Sequence, residues 1–98
     1  MAKYLLAEKA LEDLRGIWRY TLKTWSEEQA EKYVRNLMYA FEVIAKKPDS
    51  MGKSYEHVRA GYRGLHSGKH IIFFKVSQEG KVRIVRILHE RMDFPRHL

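Results

Sequence analysis

Apolar residues first run at helical spacing and then at strand spacing, and the change falls near the middle of the chain. From Ala7 to Thr24, Leu11, Leu14, Ile17, Trp18, Leu22 and Trp25 fall on one stripe of an α-helix. Glu8, Glu12 and Asp13 occupy its first turns, where the helix dipole favours negative charge. Gly16 costs about 1 kcal/mol relative to alanine in a helix interior, so it points to a close approach by a second helix. Ser26, with Gln29 three residues on, is a capping-box start for that helix. Its stripe is Ala30, Tyr33, Val34, Leu37, Met38, Phe41, Ile44 and Ala45, with Glu31, Lys32, Arg35 and Glu42 opposite. It stops ahead of Lys47-Pro48, because the residue before proline is pushed out of the α region. Two stripes with a short break near Trp25-Ser26 predict an antiparallel helical hairpin, whose aromatic residues belong to the core.

Around the hairpin the spacing predicts strands. Tyr4-Leu5-Leu6 is a short one that joins a later sheet, and 48–59 is a loop. Tyr62–His66, His70–Ser77 and Val82–His89 follow, separated by Ser67-Gly68 and Gln78-Glu79-Gly80 turn signals. The order β-α-α-β-β-β predicts an α+β fold, one domain over 1–98, with the hairpin packed on one face of a mostly antiparallel sheet. In the last strand, alternation puts Val82, Ile84, Arg86 and Leu88 on one face and Arg83, Val85, Ile87 and His89 on the other. Apolar residues on both sides describe a strand covered twice, yet the helices cover one face only. The other face is therefore expected to be a concave, partly apolar, partly basic surface open to a partner.

Charge sharpens that expectation. The formal net charge is +7 over 98 residues. Residues 1–50 hold nine Lys/Arg against eight Asp/Glu, a net +1, whereas 51–98 hold ten against four, a net +6, with all five histidines. Such asymmetry suits an acidic partner, nucleic acid or protein. The absence of cysteine excludes disulfides and thiolate metal sites. No apolar run reaches the roughly 18–20 residues of a membrane span, and MAKYLLAEKALEDL turns acidic too early for a secretory signal. A cytoplasmic protein without cofactor or metal is expected.

No Gly-rich phosphate loop, HExxH or GxSxG is present, and Asp93 and Glu90 do not form a hydrolytic carboxylate pair. What remains is a set of cations on or beside the sheet: Arg63, His70, Arg83, Arg86, His89 and Arg91. These residue types suit three roles: an acidic-partner footprint built on bidentate arginines, a phosphate-polarising catalytic cluster with a histidine as acid or base, or a solvated face.

Two stretches resemble a known family. Asp13-Leu14-Arg15-Gly16-Ile17-Trp18-Arg19-Tyr20-Thr21, with Trp25 after it, resembles the first helix of ParE toxins. Ile87-Leu88-His89-Glu90-Arg91-Met92-Asp93 resembles the close of their sheet. The element order between them is similar to that of the ParE/RelE toxin superfamily, so the resemblance covers nearly the whole chain. Within it, RelE-like members cut messenger RNA on the ribosome, and ParE-like members poison DNA gyrase and lack the nuclease residues. RelE-like enzymes carry an arginine in the strand after a Ser-Gly turn, where this chain has His70. They end in a pattern like His-Arg-Arg-x-x-Tyr, where this chain reads His89-Glu90-Arg91-Met92-Asp93-Phe94. Glutamate at one arginine place and a ring without a hydroxyl at the tyrosine place favour the gyrase poison.

The resemblance thus implies a toxin of a type II toxin–antitoxin pair with no catalytic residues, binding DNA gyrase and a ParD-like antitoxin. No sequence-specific DNA binding by the toxin alone is expected. His89, Arg91, Phe94 and Arg96 are the expected gyrase contacts, and Arg63, Arg83 and Arg86 the expected antitoxin contacts. The alternative is a ribosome-dependent messenger-RNA nuclease using His89 and Arg91. Removal of residues 90–98 is expected to spare the fold and weaken gyrase inhibition.

Overall fold

The hairpin forms where the spacing places it. In the computed structural model, which describes residues 4–98, helix α1 runs Glu8–Thr24 and α2 runs Glu27–Lys46. Residues 1–3 of the expected 1–98 domain lie outside the described residues. At the start of α2 the Ser26 side chain accepts a hydrogen bond from the Gln29 backbone N–H at 3.1 Å, closing one of the free helix-end donors. Helix α1 buries Ala10, Leu14, Ile17 and Thr21, while Leu22 and Trp25 are 38% and 40% exposed. The predicted stripe is therefore wrong at its end. From Ile17 the inward face continues four residues on, to Thr21, and that hydroxyl donates to the Ile17 carbonyl at 2.9 Å, which makes its burial tolerable.

Strands β1 (Tyr4–Leu6), β2 (Lys53–Ser54), β3 (Arg63–Ser67), β4 (His70–Val76) and β5 (Val82–His89) form one sheet in the order β1-β5-β4-β3-β2. Only β1 runs parallel to its neighbour, β5. Both helices pack on one face, where Leu14, Ile17, Leu37, Phe41 and Ile44 meet Ile72, Phe74, Val82, Ile84 and Ile87. The architecture is the predicted α+β one, with β2 and a short terminal helix α3 (Phe94–His97) added.

Two expectations about the sheet fail. Strict alternation along β5 does not hold: Phe73 pairs with Arg86 and Phe74 with Ile84, so Val85 is one residue too many. That bulge puts Ile84 and Ile87 together on the helix side and Leu88 on the far side. Nor is the far face open. Ile71, Phe73 and Leu88 are covered by Tyr55, Val58 and Tyr62 from the 55–62 loop and by Phe94 and Leu98 from the tail. The Phe73 ring stands edge-on to both Tyr55 and Phe94, with centroids 5.0 Å apart in each case. Gly64 makes this cover possible, because a Cβ there would lie 2.7 Å from the Tyr55 ring.

The tail is thus part of a second, smaller core and not a detachable appendage. Phe94→Ala is expected to destabilise by about 1–3 kcal/mol, less than a fully buried phenylalanine because the ring is half-exposed. Deletion of 94–98 should cost more. Urea unfolding checks both, and an unchanged midpoint for the deletion would mean that α3 does not seal the sheet.

Candidate functional site

Where the hairpin turn approaches the end of the sheet, a groove of about 620 Å³ opens between α1 and the β4–β5 strand ends. Gly16 and Tyr20 line it along α1, Trp25 and Tyr33 at the hairpin, and Lys69, His70, His89 and Met92 along the sheet. Tyr20 is 66% exposed, Trp25 40% and Met92 38%, a concentration of solvent-facing apolar surface. Gly16 does not meet the second helix as its position suggests. Nothing lies within 4 Å of a Cβ placed there, so its missing side chain enlarges the groove.

Tyr33 organises the polar end. Its hydroxyl accepts the Lys69 backbone N–H at 2.9 Å and shares a hydrogen bond of 2.7 Å with His70 Nδ1. The turn that brings Lys69 there depends on Gly68, which sits at φ 60° with the Tyr33 ring packed where a Cβ would be. Burial raises the Tyr33 phenol above its ordinary range, so it keeps its proton. Burial, and then the neighbouring His89, lower His70 to about 4, against opposing contributions from Asp13 and Glu90. The two imidazoles meet edge-on at 5.4 Å, and His89 Nδ1 accepts the Arg91 backbone N–H at 3.1 Å. His70 is therefore a neutral ring with one nitrogen already engaged, suited to packing and hydrogen bonding.

The sequence-named residues separate on the structure. His70 and His89 share the groove. Arg91 and Arg96 are exposed, and Arg96 lies 4.0 Å from Asp93. Phe94 is half-buried in the second core. Glu90 sits 2.7 Å from His66 Nε2. Arg86 has its guanidinium on both oxygens of Asp13, at 2.8 and 2.9 Å, and on the His97 carbonyl at 2.9 Å. Arg63 donates to the Met51 carbonyl at 2.9 Å. Arg83 is exposed on the outer side of the sheet, paired across the strands with Lys75. Sequence reasoning missed the groove itself, because Tyr20, Trp25 and Tyr33 read as core. The one legible hint was Gly16, a helix-weakening residue with no partner.

A family model described as the ParE toxin of the type II toxin–antitoxin system parDE matches residues 4–94. The chain belongs to the ParE toxin family. It is 40% identical over 97 residues to Toxin ParE1 of Mycobacterium tuberculosis, covering 99% of this chain and 98% of that one. To Toxin ParE1 of Caulobacter vibrioides it is 42% identical over 98 residues, covering 100% and 99%. To Toxin ParE of Escherichia coli the identity is 31% over 93 residues, covering 95% and 89%. A solved structure of the chromosomal ParDE TA system from P. aeruginosa shares the fold, with a TM-score of 0.78 at 22% identity over 91% of this chain and 96% of that one.

Two measurements check the groove. Gly16→Ala should stabilise by up to about 1 kcal/mol, since a helix interior gains a methyl that meets nothing; a loss in urea unfolding would mean the site is closed. His70 supplies a pH signature. Its native value of about 4 lies below the ordinary 6.5, so between these limits the unfolded chain takes up a proton that the native chain refuses. Its contribution is complete above pH 6.5 and is lost as the pH falls towards 4. The urea midpoint of the parent chain should therefore fall more steeply across that window than that of His70→Phe; parallel profiles would show that His70 is not held neutral.

Proposed function

We propose that this ParE-family toxin acts in the cytoplasm by inhibiting DNA gyrase, without catalysis of its own, and is neutralised by a ParD-like antitoxin segment laid in the Gly16–Trp25–Met92 groove. The observation that carries the non-catalytic reading is the engagement of residues at the positions where nuclease relatives keep reactive groups. Glu90 is tied to His66, Phe94 has no hydroxyl and packs on Phe73, and His70 is held neutral against Tyr33.

The groove suits an amphipathic segment, since exposed Tyr20, Trp25 and Met92 are the kind of aromatic and aliphatic anchors that dominate protein interfaces. The likeness to a toxin of a ParDE system supports such a partner. On the tail, His89, Arg91 and Arg96 are the gyrase contacts, and Phe94 holds the tail in place from beneath. Of the arginines expected to meet the antitoxin, Arg63 and Arg86 are engaged inside the chain, which leaves Arg83 free for a partner.

Purified toxin added to a gyrase supercoiling reaction should block supercoiling and accumulate cleaved DNA, while messenger RNA in a translating extract stays intact. Arg91→Glu with Arg96→Glu should weaken inhibition at least tenfold at an unchanged unfolding midpoint. Ribosome-dependent cleavage of messenger RNA that disappears in His89→Ala would replace the gyrase reading with the nuclease one.

A further inference from the structure

The sheet's outer side carries a second surface of opposite character to the groove. Lys75 and Arg83 are paired residues on β4 and β5, so their side chains leave the same face a few ångströms apart. Like charges placed directly across two strands destabilise a sheet. Among the described residues no carboxylate lies within 4.0 Å of Lys53, Lys75 or Arg83 to offset the repulsion. Two of these cations are steadied on aromatic rings instead: Lys75 Nζ lies 5.3 Å from the Tyr62 centroid and Lys53 Nζ 5.5 Å from that of Tyr55.

We propose that this face binds the phosphate backbone of duplex DNA without reading its sequence. The chemistry of the face selects that partner. Four of its apolar residues, Tyr55, Tyr62, Phe73 and Leu88, are buried beneath the cations and Val58, Val85, Phe94 and Leu98 are half-buried, so it offers positive charge with fewer exposed apolar anchors than the groove. Protein segments need such anchors, and this molecule displays them on the groove. A uniformly charged polymer needs only the cations, and counterion release from DNA rewards each one. The inference deepens the gyrase reading and rests on it in part: a toxin that stabilises cleaved DNA on gyrase would hold the enzyme through one surface and the DNA through another.

Fluorescence anisotropy of a labelled duplex of about 30 base pairs with the full-length toxin alone tests it. The parent chain should bind at roughly micromolar Kd in about 50 mM salt, weakening about 40-fold by about 200 mM, as roughly three phosphate contacts require. Lys75→Glu/Arg83→Glu should bind at least tenfold more weakly and lose about two of those contacts from the salt slope. Lys23→Glu/Lys32→Glu changes the net charge equally on the helical side and should bind much as the parent does. Equal losses in both double variants would reduce the effect to net charge and overturn the proposal. So would tighter binding of a polyglutamate peptide than of the duplex, which would make the face a site for acidic protein. A supercoiling assay on the same preparations separates the two readings. Gyrase inhibition without duplex binding overturns this inference alone, and duplex binding without gyrase inhibition overturns the gyrase reading alone.

Discussion

The pairing of Asp13 with Arg86 holds the three layers of this molecule together. Asp13 sits on α1, Arg86 at the bulge of β5, and the two side chains are each only 15% exposed. One carboxylate takes two guanidinium donors and also the backbone N–H of Ile87 at 2.9 Å, while the third guanidinium nitrogen reaches the His97 carbonyl. Helix, strand and tail thus meet on one ion pair. Its hydrogen bonding to Asp13 raises Arg86 further above its already high range, against the opposing effect of burial. A partly buried pair of this kind adds little net stability over an apolar substitute, but loss of one partner strands the other's charge. It joins Asp13 of α1 to the β5 bulge, beside the apolar contact that Leu14 and Ile17 make with the sheet.

The same docking of α1 on β5 shapes both the groove and the cationic outer side. With α1 fixed against β5 at Asp13, its next turn carries Gly16 and Tyr20 past the strand end, and the groove opens between them and His89. The bulge that presents Arg86 to Asp13 also turns Leu88 outwards, where Phe73, Tyr55 and Phe94 enclose it. Enclosing the outer side lifts the cations of the second half onto a new surface, one layer further from the helices. The charge asymmetry of the sequence becomes a polarity of the fold: exposed apolar side chains on the hairpin side, Lys53, Lys75 and Arg83 on the other.

Element types and order were legible because they rest on period, and period is a local property. The capping Ser26, the turn at Gly68 and the second-helix stripe through Leu37, Phe41 and Ile44 all form as their spacing predicts. Where the pattern misled, the deciding partner was remote in sequence. The bulge at Val85 depends on how β5 meets β4, and no alternation count reveals it. The cover of the outer face needs Gly64 to leave space for Tyr55, and needs a tail that reads as polar to fold back. Arg86 looked like a free cation because its partner lies 73 residues away. The groove was hidden because Trp25 lies on an apolar stripe that ends one turn too soon to bury it, and Tyr20 lies off that stripe. The resemblance of the two end stretches to ParE toxins carried the family reading where spacing alone left three roles open.

A chain of this size buries only about 60–65% of the surface its unfolded form exposes, and that limit bears on how a partner can use the tail. Phe94 and Leu98 are committed to closing the outer core, so a partner that pulled α3 away would expose Phe73 and Leu88 together. The tail can be read by a partner only from outside, through Arg91 and Arg96 on either side of the half-buried ring. Binding there need not reorganise the fold, because the ring of Phe94 stays beneath. The same packing that stabilises the second core is therefore what decides which side chains of the tail face outward.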